Sequence, residues 1–497
     1  MTDSDTDTMS DDAVVSVADG LLSENRPHEA VGALQEAISR NPNPSANLIR
    51  SLAKAFYASG DLYAADDAIR AVISQSSSPN NVDLLTTARL SLEILEFDRA
   101  EVAIEMLLKS VPTSPHIAST AARLFVWQGE KDRALKILSQ AVAANPDDAQ
   151  LLALAVTHDD ELTPETLARA EHLTASLPDS DERKTSLLFP LARLHDRFGD
   201  YERAWDYVRR ANRLTQRRRS GTDGVDAEAL SHRLRQRIEN SLTVTSAISN
   251  DSDAASGHIY LVGAPRTGSS LLQSILTAHD GVASVGERGA LLSHLLNIAD
   301  QCASEGFKGV YEQLRSADIA GLERQGVSSA IIVDKAPHNF YVLPLIKAVH
   351  PGSRFVNVLR DPRDVAISML FHDFPEAFAE ATDIAAIERM LRTRLFGANE
   401  YAEAGIDMLT IHYEAFVDAP NEKGAEIARY VGIEWDEGTL DPARRNAAVP
   451  TFSAGQVRRP ISRPSGDRWA RFAPFMGETL DRLTSLAEDA ANLGAES

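Results

Sequence analysis

Apolar residues recur at helical spacing from Ala13 to about Val244. The runs AVGALQEAIS (30–39), AADDAIRAVI (64–73), RAEVAIEMLL (99–108) and RALKILSQAV (133–142) each put Ala, Ile and Leu on one stripe of a helix. Polar breaks carrying Pro or Gly separate them: NPNP at 41–44, SGD at 59–61, SSSPNN at 76–81, VPTSP at 111–115, NPDD at 145–148 and FGD at 198–200. Past Gly257 the pattern changes. HIYLVG (258–263), IIVDKAPHN (331–339), RFVNVL (354–359) and MLTIHYEAFVDAP (408–420) begin with short apolar runs that read as buried strands, and helical stretches lie between them. The Ser/Gly/Asp-rich stretch SAISNDSDAASG (246–257) reads as a boundary. The pattern predicts an acidic disordered tail (1–12), an all-helical segment (13–245), a linker (246–257) and an α/β domain (258–490).

The helical breaks have a period. A small residue in the second helix of each unit falls at Ala30, Ala65, Ala100, Ala134, Ala168 and Ala204, with spacings of 35, 35, 34, 34 and 36. The stretches GDLYAA (60–65), GEKDRA (129–134) and GDYERA (199–204) supply a Gly turn between two helices, and Asn145-Pro146 closes a second helix. A repeat of this length resembles the tetratricopeptide family and implies an α-solenoid. The fifth unit departs from the pattern, with Thr163-Pro164-Glu165 in place of the Gly turn, so its phase is expected to slip by up to two residues. A single helix pair cannot bury its apolar face, so the units stack on a shared core. The resulting groove suits an acceptor or partner chain; the alternative is that the solenoid only supports the domain that follows.

Charge narrows the function classes. The 497 residues carry a net charge of −22, which argues against general nucleic-acid binding but leaves room for a local basic pocket. The one cysteine, Cys302, rules out an intramolecular disulfide framework. The acidic start MTDSDTDTMSDD lacks a basic n-region, and no run approaches 18 apolar residues, so neither a secretory signal nor a membrane span is expected. The expected setting is cytoplasmic.

Candidate chemistry lies at two strand–helix junctions. APRTGSS (264–270) joins a strand to the helical stretch LLQSILTAH (271–279), where backbone amides and a helix dipole favour a phosphate. Gly268 permits close approach, and Arg266, Thr267, Ser269 and Ser270 add donors. The spacing is that of a Walker loop, but Ser269 stands where the lysine belongs, which disfavours a nucleotide triphosphatase or kinase. At the second junction RFVNVL ends at Arg360. There DPRDVAIS (361–368) opens a helix with Asp361 as N-cap and Pro362 at its first position, and Ser368 lies two turns on.

Together VGAPRTGSSLLQSIL and VNVLRDPRDVAISML resemble the donor-binding segments of sulfotransferases that use 3′-phosphoadenylyl sulfate (PAPS). The likeness is greatest to bacterial tetratricopeptide-repeat sulfotransferases and tyrosylprotein sulfotransferases, and it covers about 258–482. It implies a P-loop-like α/β domain with a parallel sheet and helices on both faces. It also implies that Arg266, Thr267, Gly268, Ser269 and Ser270 hold the 5′-phosphosulfate, and that Arg360 and Ser368 hold the 3′-phosphate. Glu287 falls on the family's catalytic base, although the arginine two places beyond that base is here Gly289. Lys335 falls on the lysine that stabilises transferring charge, with His338 beside it, and Tyr413 on a tyrosine near the nucleotide. In the segment FSAGQVRRPISRPSGDRW (452–469), Gln456 and Trp469 keep the family separation, so Arg468 falls on its phosphate-contacting base and Ser453 near a family hydroxyl. From Arg444 to Arg471 there are seven Arg and one acid, a local reversal of charge that suits an anion site.

The expected reaction is sulfuryl transfer from PAPS to an acceptor hydroxyl, with no metal. A protein tyrosine fits the repeat groove. A carbohydrate, lipid or small-molecule hydroxyl is the alternative acceptor, and an adaptor with an inactive transferase domain is the alternative of another class.

Overall fold

The computed structural model describes residues 10–76, 79–221, 225–243, 257–287, 289–300, 308–324, 327, 329, 331–445, 457–461 and 467–493. Ser453, Gln456, Cys302 and most of the expected linker lie outside them. The chain parts into two compact units, 1–158 and 159–497.

The first unit holds, among the described residues, nine helices: α1 (Asp11–Ser23), α2 (Pro27–Arg40), α3 (Ala46–Ser59), α4 (Leu62–Ser74), α5 (Asn81–Glu93), α6 (Phe97–Ser110), α7 (Pro115–Gln128), α8 (Lys131–Ala144) and α9 (Ala149–His158). The periodic alanines explain the stacking. Ala30, Ala65, Ala100 and Ala134 are all fully buried, because only a methyl group fits where paired helices approach closely. Gly60 and Gly129 end α3 and α7 in the left-handed conformation, and Leu95 takes it at the equivalent turn with φ 65°. Ion pairs repeat with the same period: Arg99 of α6 reaches Asp66 of α4, and Arg133 of α8 reaches Glu101 of α6 at 2.7 Å.

The second unit begins with four helices: α10 (Pro164–Ser176), α11 (Glu182–Phe198), α12 (Tyr201–Ser220) and α13 (Ala227–Leu242). The fifth repeat slips as its sequence suggests. Thr163 caps α10 by accepting from the Thr166 amide at 3.2 Å, so the helix starts late. Ala168 is therefore exposed, and Ala170 takes the buried position.

The α/β part then runs β1 (His258–Leu261), α14 (Ser269–Leu276), β2 (Val282–Ser284), α15 (Gly289–Asp300), α16 (Lys308–Arg324), β3 (Ile331–Asp334), α17 (Leu343–Val349), β4 (Arg354–Leu359), α18 (Pro362–Leu370), α19 (Ile384–Glu403), β5 (Met408–His412), α20 (Tyr413–Asp418), α21 (Pro420–Val431), α22 (Arg468–Met476) and α23 (Thr479–Asn492). The five strands form one parallel sheet in the order β2-β3-β1-β4-β5. Alternation along the strands separates two cores. Ile259, Leu261 and Val356 join Leu272, Ile275 and Phe416 on one face, while Tyr260, Val262 and Phe355 join Phe340, Phe371 and Phe472 on the other. Helices cover both faces, as parallel strands require.

Helices α11–α13 belong to that second core. Leu188, Phe189, Ala192, Ala211 and Ile238 pack in the same cluster as Phe340 and Phe371. Side chains of α12 also reach into the α/β part: Asn212 donates to the Leu370 carbonyl at 3.0 Å, and Gln216 donates to the Thr382 carbonyl at 3.1 Å. The secondary structure thus changes character near residue 257, while the compact units divide at 158.

Candidate active site

Strand register brings the two predicted junctions together. Leu261 pairs with Val356, so the loop after β1 and the turn after β4 leave the same edge of the sheet. Open α/β sheets bind ligands at this carboxyl edge. In the first loop Thr267 donates its hydroxyl to the Ala264 carbonyl at 2.8 Å, which tightens the turn. Gly268, at φ 104°, precedes α14, whose first residues are Ser269 and Ser270. A Cβ on Gly268 would lie 2.4 Å from Tyr413 Cδ2, so the tyrosine ring rests directly on this backbone. Arg266 itself has φ 70°, a conformation that L-residues adopt at a cost.

The side chains interlock. Arg266 Nε donates to Ser368 Oγ at 2.9 Å. Arg360 Nη1 donates to the Arg266 carbonyl at 3.2 Å, and Nη2 meets Asp364 at 3.2 Å. Leu359 pairs with His412 across β4 and β5, which sets Arg360 beside Tyr413; the guanidinium stands 5.0 Å from that ring. The Trp469 amide donates to Asp364 at 3.0 Å, and Arg363 stacks on the Trp469 ring at 4.0 Å. Arg468, the neighbour of Trp469, is gripped by Asp196 of α11 at 2.9 Å and 2.8 Å.

The result is a concentration of positive charge. Burial, and after it the like charges of Arg360, Arg468 and Arg193, push the Arg266 guanidinium down to about 9. Burial and Arg468 likewise push Arg193 down to about 10. Burial also holds Arg468 below its ordinary value despite Asp196. Arg360 Nε is buried with no hydrogen-bond partner. A buried donor left in this way costs roughly 1–3 kcal/mol, which suits a site shaped for an anionic ligand.

Lys335 and Glu287 meet on the other side of β1. Beyond β2 the chain keeps pairing with β3: the Val285 amide donates to the Val333 carbonyl at 3.1 Å, and the Lys335 amide to the Gly286 carbonyl at 3.0 Å. Asp334 turns the chain after β3 by accepting from the Ala336 amide at 2.9 Å and from Asn339 at 3.0 Å. Lys335 Nζ then lies 2.5 Å from Glu287 Oε1, with the lysine buried and the glutamate half exposed to solvent. A cation thus adjoins a carboxylate that a second molecule can reach. His338 stacks on Phe378 at 4.3 Å, and burial lowers it to about 4.

The basic stretch before the C-terminus divides its work. Arg444 pairs with Asp436 at 2.5 Å. Arg445 is fully buried and donates to the carbonyls of Val457, Leu440 and Arg459 at 3.0, 3.1 and 3.2 Å. Both hold the chain in shape, whereas Arg468 joins the arginine cluster. Sequence reasoning missed Asp364, Asp196, Arg193 and His372. Asp364 lies four residues after Arg360, a spacing that was available to find it.

Residues 258–437 match the family model described as "Sulfotransferase family", and residues 96–155 match one described as "Tetratricopeptide repeat". An uncharacterized protein of Aquifex aeolicus is 25 % identical over 71 % of this chain, and the chain spans only 48 % of that relative's length. Protein-tyrosine sulfotransferase 2 of Gallus gallus is 22 % identical, over 48 % of this chain and 68 % of its own. A sulfotransferase domain from the olefin synthase of Synechococcus PCC 7002 is similar at 21 % identity, with a TM-score of 0.33, over 47 % of this chain and 94 % of that one. No helix among the described residues is long and apolar enough to cross a membrane.

Proposed function

We propose that the protein, whose residues 258–437 match the sulfotransferase family model, transfers the sulfuryl group of PAPS to an acceptor hydroxyl, that of a protein tyrosine. The supporting observation is the meeting of Arg266, Ser368 and Arg360 at one sheet edge, with the Lys335–Glu287 pair past the ends of β3 and β2 on the other side of β1. In this reading the loop amides, Ser269, Ser270 and Arg266 receive the phosphosulfate, while Arg360, Ser368 and Arg468 receive the 3′-phosphate. Thr267 and Gly268 shape the loop, and Tyr413 covers it. Charge on the donor is met by arginine and lysine side chains, and the proposal assigns no metal.

The chemistry balances without a further reactant. Glu287 takes the proton of the acceptor hydroxyl, whose oxygen forms the new bond to sulfur. The bond from sulfur to the bridging phosphate oxygen breaks, and Lys335 stabilises the charge left on that oxygen. The products are a sulfate ester and adenosine 3′,5′-bisphosphate. A tyrosine acceptor is supported by the name of the Gallus gallus relative. The repeats of 13–245 would hold the acceptor chain or a partner, and the setting would be cytoplasmic.

The test is incubation of the purified protein with radiolabelled PAPS and a cell lysate, followed by identification of the labelled species. Label on protein tyrosine is expected. Label on a carbohydrate or lipid would replace the acceptor, and label transfer only from ATP with magnesium would overturn the reading.

A further inference from the structure

A second group of ligating side chains gathers at the sheet edge opposite to Arg266 and Arg360. Ile259 pairs with Arg354, so His258, which opens β1, stands at the amino edge beside the start of β4. His350 lies between α17 and β4, and Asp318 belongs to α16, the helix before β3. Among the described residues, these three side chains bring one donor atom each, two imidazole nitrogens and a carboxylate oxygen, within 4.8 Å of one another. His350 Nε2 is 3.1 Å from Asp318 Oδ2, and these two side chains are 3 % and 8 % exposed, so an ion between them is shielded from bulk water. The His258 ring stacks on that of His350, with centroids 4.1 Å apart and planes inclined by 23°.

The backbone that carries the group is fixed by other bonds. The Ser353 hydroxyl and amide both donate to the His350 carbonyl, at 2.7 Å and 3.0 Å. Arg315, about one turn before Asp318, donates to the carbonyls of Val349 and, at 3.2 Å, of Ala348, which ties α16 to the end of α17. Lys347 donates to the Ser353 carbonyl at 3.2 Å. His350 and Asp318 therefore face each other from anchored segments.

Donor type and spacing indicate the ligand. Zinc bonds imidazole nitrogen at about 2.0–2.1 Å and carboxylate oxygen at about 2.0–2.2 Å, so two donors on a tetrahedral ion stand about 3.3–3.5 Å apart. The 3.1 Å between His350 and Asp318 is close to that separation. His258 has at most about 1.5 Å to close, by a turn of its ring about the soft χ2 angle that aims both imidazoles at one point. Two nitrogens and one oxygen favour an ion of zinc's class over magnesium or calcium, which take oxygen ligands. We propose that His258, Asp318 and His350 form a binding site for a zinc-class divalent cation, with water in the fourth place. The ion ties α16 to the amino edge of the sheet and takes no part in group transfer. The inference stands apart from the donor reading above.

The experiment is calorimetric titration of zinc chloride into the full chain, stripped beforehand with EDTA, with melting curves recorded in parallel. The wild type should bind one zinc ion per chain and melt about 4 °C higher at a hundred times the Kd. His258→Phe keeps a ring against His350 but removes a ligand, and Asp318→Asn removes the charge but keeps an oxygen acceptor. Each should weaken this site by about a hundredfold or more, since losing even the groups behind a ligand costs about 10–100-fold. The second variant preserves the test if the first fails to fold. Magnesium chloride should give neither heat nor a melting shift. The absence of a saturable zinc site in the wild type would overturn the inference. So would equal zinc affinity in the wild type and both variants, which would place the ion on other histidines, or binding of magnesium as tightly as zinc.

Discussion

Replacing Gly268 by alanine tests the contact on which the loop geometry depends. Two terms add. At φ 104° an L-residue is strained, which costs about 1–2 kcal/mol. The new Cβ would also stand 2.4 Å and 2.8 Å from Tyr413 Cδ2 and Cε2. Carbon pairs rest at about 3.5–4.0 Å, so the ring must retreat by about 1 Å or more. That retreat draws Tyr413 from Arg360, now 5.0 Å from its centroid, a contact of about 0.5–2 kcal/mol. The total is roughly 3 kcal/mol. Gly405→Ala is the control: its φ is 75°, and no atom lies within 4 Å of the added Cβ, so only the backbone term applies. In a unit of this size 1 kcal/mol moves the melting temperature by about 1.5 °C. Gly268→Ala should therefore melt about 4 °C lower, and Gly405→Ala about 2 °C lower. Calorimetry separates them further: Gly268→Ala should weaken adenosine 3′,5′-bisphosphate about tenfold or more, and Gly405→Ala should leave it unchanged. Equal melting shifts together with intact nucleotide binding by Gly268→Ala would refute the argument.

Other perturbations probe the remaining parts of the site. Arg360→Ala should weaken adenosine 3′,5′-bisphosphate by about ten- to a hundredfold, since hydrogen bonds to charged groups contribute about 1.5–3 kcal/mol; unaltered affinity in calorimetry would separate Arg360 from the phosphate. Glu287→Gln should bind the nucleotide normally and lose about 10²–10⁴ in turnover in the label-transfer assay, the range for a general base. Two buried groups predict opposing pH dependence. Burial raises Glu380 to about 7, so its proton stays on in the folded state and its stabilising effect is lost as pH rises between the unfolded carboxyl range and about 7. Burial lowers His338 to about 4, so its effect is present above the imidazole range and is lost as pH falls toward 4. In urea melts between about pH 4.5 and 6.5, the slope of stability against pH should be more positive in Glu380→Gln than in the wild type and less positive in His338→Gln; a slope unchanged from the wild type in either variant would contradict the burial of that group.

Most of the fold was legible because each element carried a local signal. The 34-residue period reported a buried methyl position, and Ala30, Ala65, Ala100 and Ala134 occupy it. It failed at Ala168 because the Pro164 start of α10 shifted the helix, and the Thr163-Pro164 pair had marked that place. The strand–loop–helix junctions were legible for the same reason: Gly268 and Asp361 act on their own neighbours. Arg193 and Asp196 were not, since nothing local sets them apart from other charged residues on a repeat helix. Their partners, Phe371 and Arg468, lie far along the chain. Arg444 and Arg445 misled in the opposite direction, because a basic run in sequence does not say which side chains turn inward to hold carbonyls.

Burial of like charges gives the site its thermodynamic character. Burial, and after it the like charges of Arg360, Arg468 and Arg193, disfavours the charged form of Arg266 and lowers it to about 9. Asp196, Asp364 and, toward Arg193, Asp373 offset part of that cost. The ligand-free protein is therefore held below the stability its apolar core would allow, and an anion that neutralises the excess removes the penalty. Binding then stabilises the fold by RT ln(1 + [L]/Kd), about 2.7 kcal/mol when the nucleotide stands at a hundred times its Kd. Because Asp196 of α11 grips Arg468, that stabilisation extends to the helical segment as well as to the sheet. Local opening of α11–α12 should slow when nucleotide is bound, and the α/β part and these helices should respond to it as one cooperative body.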